Sequence, residues 1–361
     1  MKYVAEFRNK DHVLNLQKQI MKYDGEALNI MEVCGTHTMN IAKFGIRNMI
    51  PKHKINLVSG PGCPVCVTPI GDIEAAISLA KDHKKIITTF GDMMKVPGVD
   101  KNLFDLKSEG SDVRIVYSTI EALKLAKENP EREIVFMGVG FETTVPTIAA
   151  TIKRAKEENV NNFSVIAMNK TVPIALGALM SNPAIKLNAM ILPGHVSAII
   201  GEDAYRDVFT QYNSIGIITG FEPVDIMRGI LTIVEKVMLK ENGVFNVYKR
   251  GVNSLGNQMA QKIVNEVYEP CDSYWRGVGV IPQTGLKIRE SYNQYDATIK
   301  FNIEAKDFTE PAGCICGNIL QGLNNPKECK HFGKSCTPEK PIGPCMVSSE
   351  GTCAAYYKYM L

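Results

Sequence analysis

Short apolar runs alternate with longer segments of helical periodicity through most of this chain. Segments 72–83 and 118–128 follow capping residues and carry apolar side chains at positions i, i+3, i+4 and i+7, so both are predicted to be helices. The apolar runs predict strands at 28–33, 55–58, 86–89, 113–117, 134–137, 164–168, 189–192 and 215–219. Such alternation is typical of βαβ units that build a parallel sheet.

Unusual loops follow most of the predicted strands. They span residues 34–37, 60–69, 90–97, 138–144, 193–197 and 220–223. Ligands of open α/β sheets bind beyond the carboxyl ends of the strands, so these loops are expected to line a shared cleft. Segments 58–65 and 218–225 both place a loop containing Gly and Pro between an apolar strand and a helix. The expected fold class is therefore α/β, with two related lobes whose parallel-rich sheets flank a cleft.

The pattern changes near Lys249, and a segment dense in Gly, Pro and Cys follows from about Glu310. We expect a first α/β lobe at 1–130 with the loops of Cys34, Cys63 and Cys66, a second α/β lobe at 131–248, and a cysteine-rich C-terminal domain at 249–361. A small loop-rich segment buries little apolar surface, so its thiols are expected to hold it together through a metal or through disulfides.

Composition narrows the classes of function. The 361 residues carry a formal charge of +3 without a long run of either sign, which argues against nucleic acid as a partner. The N-terminus lacks the apolar core of a signal peptide, and the sequence has no stretch of the ~20 apolar residues that span a bilayer. These features predict a cytoplasmic protein with no membrane partner. In a reducing compartment, ten cysteines indicate metal binding or thiol chemistry more than structural disulfides.

Six of the ten cysteines lie between Cys314 and Cys353. Cys329, Cys336, Cys345 and Cys353 are separated by six, eight and seven residues and are the predicted cofactor ligands. Four thiolates suit an iron-sulfur cluster or tetrahedral zinc, and the absence of paired zinc knuckles favours the cluster over zinc and over inert buried thiols. Cys314 and Cys316 could replace one of the four or form a separate redox pair, and Cys271 has no assigned role.

A second thiol centre is predicted around Cys63-Pro-Val-Cys66. The spacing is that of a redox dithiol at the start of a helix, where the helix dipole favours a thiolate. Cys34 ends a strand only one βα step earlier, so Cys34, Cys63 and Cys66 are predicted to bind a transition metal or to exchange disulfides with one another. The alternative is a pair of buried structural cysteines.

Other polar residues stand in the same loops. His37 is a candidate ligand or proton carrier and joins Cys63 and Cys66 as a predicted catalytic group, while His195 has a weaker case. Glu142, Thr143 and Thr144 could cap the helix that follows them, line the cleft, or do both. Glu222 repeats the Gly-Phe-Glu context of Glu142, so at least one of these two carboxylates is expected to face the cleft.

Five motifs together carry a family resemblance. They are Glu32-Val-Cys-Gly-Thr-His37, Ser59-Gly-Pro-Gly-Cys-Pro-Val-Cys-Val-Thr-Pro69, Gly140-Phe-Glu-Thr-Thr144, Pro193-Gly-His-Val-Ser197 and Cys345-Met-Val-Ser-Ser-Glu-Gly-Thr-Cys353. From about Lys10 to Tyr357 the chain resembles the HypD family of hydrogenase maturation factors.

The resemblance implies a scaffold on which the iron of nickel-iron hydrogenases acquires two cyanides and a carbon monoxide. Cys34 matches the family's iron ligand, shared with a HypC-type chaperone, and cyanide comes from a HypE-type donor. A four-iron four-sulfur cluster is carried over onto Cys329, Cys336, Cys345 and Cys353. Because removing cyanide from a sulfur carrier is formally reductive, the cluster could supply electrons through Cys63 and Cys66. The competing interpretations are an iron-sulfur oxidoreductase acting on disulfides and a zinc-stabilised binding module.

Overall fold

The structure is a computed structural model that describes residues 5–303 and 310–360. The strands are β1 (Leu28–Glu32), β2 (Ile55–Ser59), β3 (Lys85–Thr89), β4 (Val113–Ile115), β5 (Glu133–Gly138), β6 (Phe163–Ala167), β7 (Ala189–Pro193), β8 (Ile215–Thr219), β9 (Gly243–Asn246), β10 (Tyr268–Trp275) and β11 (Gly279–Ile288). Each of the eight predicted strands is present, with ends shifted by at most two residues.

The α-helices lie mainly between these strands. They are α1 (Lys10–Ile20), α2 (Gly35–Lys43), α3 (Pro64–Val67), α4 (Ile70–Ala80), α5 (Leu103–Ser108), α6 (Thr119–Glu128), α7 (Val145–Glu157), α8 (Val172–Met180), α9 (Gly194–Ile200), α10 (Arg206–Gln211), α11 (Pro223–Leu239), α12 (Gln258–Val267), α13 (Ala297–Lys300), α14 (Cys316–Leu320) and α15 (Thr352–Met360). Both predicted helices are found, as α4 and α6. None of the described helices has the length and apolar character needed to cross a membrane.

Two parallel sheets form the α/β body. The first, sheet A, has the strand order β2-β1-β7-β8-β9, and the second, sheet B, has the order β4-β3-β5-β6. In sheet A, Glu32 at the end of β1 stands opposite Ser59 of β2 and Ile191 of β7. The carboxyl ends of these neighbouring strands therefore meet along one edge, and so do the loops that follow them.

The two sheets draw on different parts of the chain, and the expected domain boundaries at residues 130 and 248 stay predictions. Sheet A combines strands from both ends of the α/β region, while sheet B is formed by the intervening β3, β4, β5 and β6. The related segments 58–65 and 218–225 accordingly follow β2 and β8 of the same sheet and do not stand in separate lobes. Local sequence patterns define strands, but the order of strands within a parallel sheet depends on crossover connections that span long segments.

One apolar core joins the two sheets to the cysteine-rich tail. It includes Met31 and Met190 of sheet A, Val135 of sheet B, and Cys66 and Cys345, all buried. The antiparallel hairpin of β10 and β11 adds Trp275 to this core. The thiol-bearing segments thus pack at the junction of the sheets, and the fold class predicted from the sequence is confirmed.

Candidate thiol and metal site

Cys34 lies at the edge of sheet A where β1 gives way to α2. It is the N-cap residue of α2 and is buried, with 7% of its surface exposed. Burial, together with the negative charge of Glu350, raises the pKa of the Cys34 thiol to about 11, although the backbone amides of Thr36 and His37 oppose this rise. The thiol is therefore protonated at neutral pH, and binding of a metal ion would release its proton.

The loop before Cys63 is pressed against Cys34. The amide of Gly35 donates to the carbonyl oxygen of Gly62 over 3.0 Å. A Cβ atom at position 62 would lie 2.3 Å from the backbone nitrogen of Cys34, so only glycine fits there. The loops after β1 and β2 therefore meet as the sequence predicts, with Cys63 one residue from this contact.

His37 is fully buried in the first turn of α2. Its Nε2 donates to the carbonyl oxygen of Gly220 over 2.9 Å, so Nδ1 is the unprotonated nitrogen. Nδ1 is buried and has no hydrogen-bond partner among the described residues. Burial lowers the pKa of His37 to about 4. A neutral imidazole of this kind is suited to accept a hydrogen bond at Nδ1.

Phe221 connects the two candidate histidines. Its ring stacks on His37 at a centroid distance of 4.7 Å and on the exposed His195 at 4.0 Å. These residues follow β1, β7 and β8, which are adjacent in sheet A. The expectation that loops 34–37, 193–197 and 220–223 share one edge of the sheet is met, whereas sequence reasoning did not single out Phe221 itself.

The cysteine-rich tail covers the Cys34 loop. The hydroxyl of Thr36 donates to Glu350 Oε1 over 2.6 Å, and a Cβ at Gly35 would lie 2.5 Å from the Cβ of Glu350. Ser348 donates to Asp92 Oδ2 over 2.7 Å, which ties the same tail segment to the loop after β3. Glu350, left without a role by the sequence, therefore adds a carboxylate to the surroundings of Cys34.

The Cys63-Pro-Val-Cys66 segment forms α3. The sulfur of Cys63 accepts a hydrogen bond from the amide of Cys66 over 3.3 Å, in the manner of an N-cap. Cys66 is completely buried next to Cys345, and burial raises the pKa of its thiol well above the usual value. Helix α3 has a single turn, so its dipole does not offset the effect of burial.

Cys345 brings the two predicted thiol centres together. Its sulfur lies 2.7 Å from that of Cys316, and the thiol of Cys66 is its other sulfur neighbour. Cys66, Cys345 and Cys316 thus form one buried series, which we call the thiol series. Cys66 lies more than two hundred residues before the other two, and spacing alone did not connect it to them.

All six tail cysteines line one small cavity, together with Phe332, Ile342 and His331. Burial raises the pKa of Cys353 and of Cys314, and the neighbouring thiols, with Cys316 first and then Cys329 and Cys336, raise both further. The amide of Ile342 donates to the sulfur of Cys336 over 3.3 Å, the kind of contact that stabilises a cluster thiolate. This donor set fits a soft-metal cluster.

A single-ion site is not apparent in the part of the chain that the structure describes, because no three His, Cys, Asp or Glu side chains there are placed to hold one ion. The predicted set of Cys34, Cys63 and Cys66 as metal ligands therefore stays a prediction. The predicted ligand set Cys329, Cys336, Cys345 and Cys353 also stays a prediction. Because Cys345 lies against Cys316, Cys314 is an alternative to Cys345 as the fourth ligand.

Glu142 has a different local partner from the one expected. Its Oε1 accepts a hydrogen bond from the amide of Val172 at the start of α8 over 2.7 Å, while Oε2 is buried with no partner in the part of the chain that the structure describes. Thr144 is the N-cap of α7 but its side chain makes no capping hydrogen bond, and Thr143 is exposed. Burial raises the pKa of Glu142 to about 7. Capping of α7 by these three side chains is thus not observed.

Two further predicted or unassigned residues lie elsewhere. Glu222 pairs with Arg8, whose Nη2 donates to Glu222 Oε1 over 2.8 Å, so this carboxylate is engaged with the N-terminal segment. Cys271 lies in the β10–β11 hairpin, half-buried, at an irregularity in the pairing of the two strands. Neither residue belongs to the thiol series.

A buried ion pair supports the start of the Cys34 loop. Glu32 Oε1 accepts hydrogen bonds from Arg47 Nη2 over 2.8 Å and from the hydroxyl of Ser59 over 2.7 Å. Glu32 has no exposed surface, and burial raises its pKa. The pair fixes the carboxyl ends of β1 and β2 relative to each other. The sequence signal available for Glu32 was a charged residue inside an otherwise apolar strand.

Fold and site together define a cysteine-rich α/β protein in which thiols from a strand-end loop and from the tail come together in the core. Comparison with known proteins refines this class. A family model described as "HypD: Hydrogenase formation hypA family" matches residues 10–360. The hydrogenase maturation factor HypD of Escherichia coli is 40% identical over 99% of this chain and 98% of its own length.

Two other relatives agree. HypD2 of Bradyrhizobium diazoefficiens is 41% identical, and HypD of Cupriavidus necator is 39% identical, each over 99% of this chain and 97% of the relative. The chain belongs to the HypD family and takes part in hydrogenase formation.

Proposed function

We propose that this protein is the scaffold on which the iron centre of a nickel-iron hydrogenase receives two cyanides and a carbon monoxide. The iron is cargo, held by Cys34 and by a cysteine of a HypC-type chaperone. The observation that carries the proposal is the position of Cys34, buried at the N-terminus of α2 where the loop of Gly62 packs against its backbone. Iron would displace the thiol proton on binding, because a metal ligand must be the thiolate.

The surroundings of Cys34 suit transfer of a small ligand. His37 presents an unprotonated Nδ1 that can accept a hydrogen bond from an incoming donor. Glu350 and His195 flank the loop, and Glu350 keeps the hydroxyl of Thr36 oriented. His37 then holds the incoming ligand through a hydrogen bond to Nδ1, because burial keeps its ring neutral at neutral pH.

Thiol exchange accompanies this role. Cys63 and Cys66 form the dithiol nearest to Cys34, and Cys345 and Cys316 lie directly behind Cys66. A thiolate at Cys66 can attack a Cys316–Cys345 disulfide at the sulfur of Cys345, forming a Cys66–Cys345 disulfide and releasing Cys316 as a thiolate. The exchange transfers the disulfide from the Cys316–Cys345 pair to the Cys66–Cys345 pair, with no net gain or loss of electrons.

The tail cysteines are proposed to hold a four-iron four-sulfur cluster. Cys329, Cys336 and Cys353 are three ligands. Cys314 is favoured as the fourth because the sulfurs of Cys345 and Cys316 lie against each other, 2.7 Å apart, and are assigned to thiol exchange. Cys345, assigned to the cluster from the sequence, then belongs to the thiol series instead. When bound, the cluster supplies electrons one at a time to the neighbouring thiols.

The partners proposed are a HypC-type chaperone and a HypE-type cyanide donor. Both would reach the strand-end loops around Cys34, since that is where iron and cyanide meet. The cytoplasmic location, and the absence of nucleic-acid and membrane partners, remain predictions from the sequence.

The test is anaerobic purification after co-expression with a HypC-type chaperone, followed by iron, sulfide and zinc analysis and infrared spectroscopy. We expect about four irons and four sulfides from the cluster, plus cargo iron with cyanide and carbonyl stretches. The stretches should disappear in Cys34→Ala while the cluster remains. Stretches that persist in Cys34→Ala would contradict the role of Cys34.

The same experiment decides between the alternatives. Iron and sulfide without these stretches would favour an iron-sulfur oxidoreductase, a function that the contact between Cys316 and Cys345 also permits. Zinc alone would indicate a zinc-stabilised binding module. A double variant Cys63→Ala, Cys66→Ala that still supports normal hydrogenase maturation would remove the redox part of the proposal.

A further inference from the structure

The turn of the β10–β11 hairpin lies between the two segments that supply the thiol series. Its residue Arg276 follows Trp275 at the end of β10. The backbone amide of Arg276 donates to the carbonyl oxygen of Val67 over 3.0 Å, and its side-chain Nε donates to the carbonyl oxygen of Thr68 over 2.8 Å. The turn is thus bonded directly to the end of the helix that carries Cys66.

The same turn packs on the helix that begins with Cys316. A Cβ at Gly277 would lie 2.1 Å from Cα of Gly317, and a Cβ at Gly317 would lie 2.7 Å from Cα of Gly277. Gln321, one turn further, donates from Nε2 to the carbonyl oxygen of Gly277 over 2.5 Å. Two glycines in backbone contact therefore set the distance between the hairpin and α14.

Arg276 is an unusual residue for this position because it is almost completely buried, with 1% exposure. Its Nη1 donates to Glu310 Oε2 over 2.7 Å, and its Nη2 is buried without a partner in the described residues. Burying a guanidinium is costly unless its hydrogen bonds are made. An apolar side chain would fill the same space with a smaller desolvation penalty. The charged guanidinium and its several N–H donors therefore indicate a role beyond packing.

We propose that Arg276, with the Gly277–Gly317 contact, is a positioning element that holds Cys66 against Cys345 and Cys316. The inference rests on the thiol-exchange part of the proposed function. In the described residues Arg276 makes no hydrogen bond to a sulfur atom of the thiol series, although its charge favours the thiolate of Cys316. It fixes the end of α3 while the glycine contact fixes α14, and the hairpin turn keeps the two at one spacing.

The test maps disulfides in the purified full-length protein, with its cluster in place. Brief treatment with diamide takes two electrons and two protons from a pair of thiols, giving a disulfide and the reduced hydrazine. Remaining thiols are blocked with N-ethylmaleimide, and peptides are identified by mass spectrometry. In the wild type we expect disulfides of Cys345 with both Cys316 and Cys66.

In Arg276→Gln, the Cys66–Cys345 disulfide should fall about tenfold or more relative to Cys316–Cys345, because a displacement of about 1 Å costs ~10²-fold in an intramolecular reaction. Arg276→Lys keeps one donor for the carbonyl oxygen of Thr68 and should restore part of the Cys66–Cys345 disulfide. Gly317→Ala should displace α14 and Cys316, so it should lower the Cys316–Cys345 disulfide relative to Cys66–Cys345 and change the ratio in the opposite direction. This variant tests the inference if Arg276→Gln does not fold.

Arg289→Gln is the matched control. Arg289 lies on the same hairpin, donates to the carbonyl oxygens of Asn265 and Tyr268 and pairs with Glu269, but at the end away from the thiols. Its disulfide pattern should equal that of the wild type. The inference is overturned if folded Gly317→Ala retains the wild-type ratio of disulfides, or if Arg289→Gln shifts the ratio as much as Arg276→Gln.

The outcome is separable from that of the proposed function. Disulfide mapping requires neither iron on Cys34 nor a chaperone, so it stands even if the infrared test fails. Conversely, an unchanged ratio in Gly317→Ala removes the positioning role and leaves the scaffold role of Cys34 intact.

Discussion

His37 Nε2 lies 2.9 Å from the carbonyl oxygen of Gly220, a residue 183 positions later in the chain. This contact links the loops after β1 and β8, two strands separated in sheet A by β7. It also fixes the tautomer, since a carbonyl oxygen can only accept, and leaves the lone pair of Nδ1 unused in the protein interior.

The neutral state of His37 should appear in the pH dependence of stability. In the unfolded chain a histidine protonates near pH 6.5, whereas burial lowers the pKa of folded His37 to about 4. The unfolded state then binds more protons between these values, so His37 should reduce stability as pH falls through that window, by on the order of 3 kcal/mol. Denaturant titrations of wild type and His37→Gln at several pH values measure the difference.

Nitrogen NMR of labelled histidine gives an independent reading of the same group. The protonated nitrogen of His37 at pH 7 should be Nε2, and the ring should take its second proton only near pH 4. Protonation of His37 at pH 6 or above would contradict the proposed state.

Glu142 should give the opposite dependence. Burial raises the pKa of its carboxyl from 4.5 to about 7, so the folded state binds the extra proton between these values. Stability should therefore fall as pH rises through this window, and Glu142→Gln, which keeps the acceptor for the amide of Val172, should abolish that fall. Thermal unfolding at pH 5 and pH 8 checks it. Equal loss between these pH values in both proteins would rule out Glu142 as the source.

Gly62→Ala should disturb Cys34 without touching a thiol. The added methyl group would lie 2.3 Å from the backbone nitrogen of Cys34, so the loop or the N-terminus of α2 must move. We expect faster alkylation of Cys34 by iodoacetamide and weaker cyanide and carbonyl stretches. Gly91→Ala is the control, because a Cβ there meets only one atom, at 3.8 Å. Identical Cys34 reactivity in both variants would contradict the packing argument.

Arg47→Met should be strongly destabilising. It removes the partner of Glu32, whose carboxylate has no exposed surface, and leaves that group with the hydroxyl of Ser59 alone. Loss of one member of a buried pair costs roughly 3–5 kcal/mol. The free energy of unfolding from denaturant titration measures it. In the double variant Arg47→Met, Glu32→Gln most of the loss should be recovered, and no recovery would show that Arg47 acts through packing alone.

The sequence by itself determined the local elements and the chemistry available to the protein. Alternating apolar runs and helical segments gave strands and helices at the correct places, because side-chain periodicity is a local property. Loops bearing Cys34, His37, Cys63 and His195 were correctly expected at strand ends, because all parallel strands of a sheet point their carboxyl ends the same way.

Only the tertiary structure decided which of these elements are neighbours. The order β2-β1-β7-β8-β9 places distant strands side by side, and it puts Phe221 against both histidines. The contact of Cys345 with Cys316 and Cys66, and the bond from Glu142 to α8, likewise depend on how long crossovers pack. Sequence periodicity is local, whereas these contacts are set by burial of a core shared by segments that are not adjacent in sequence.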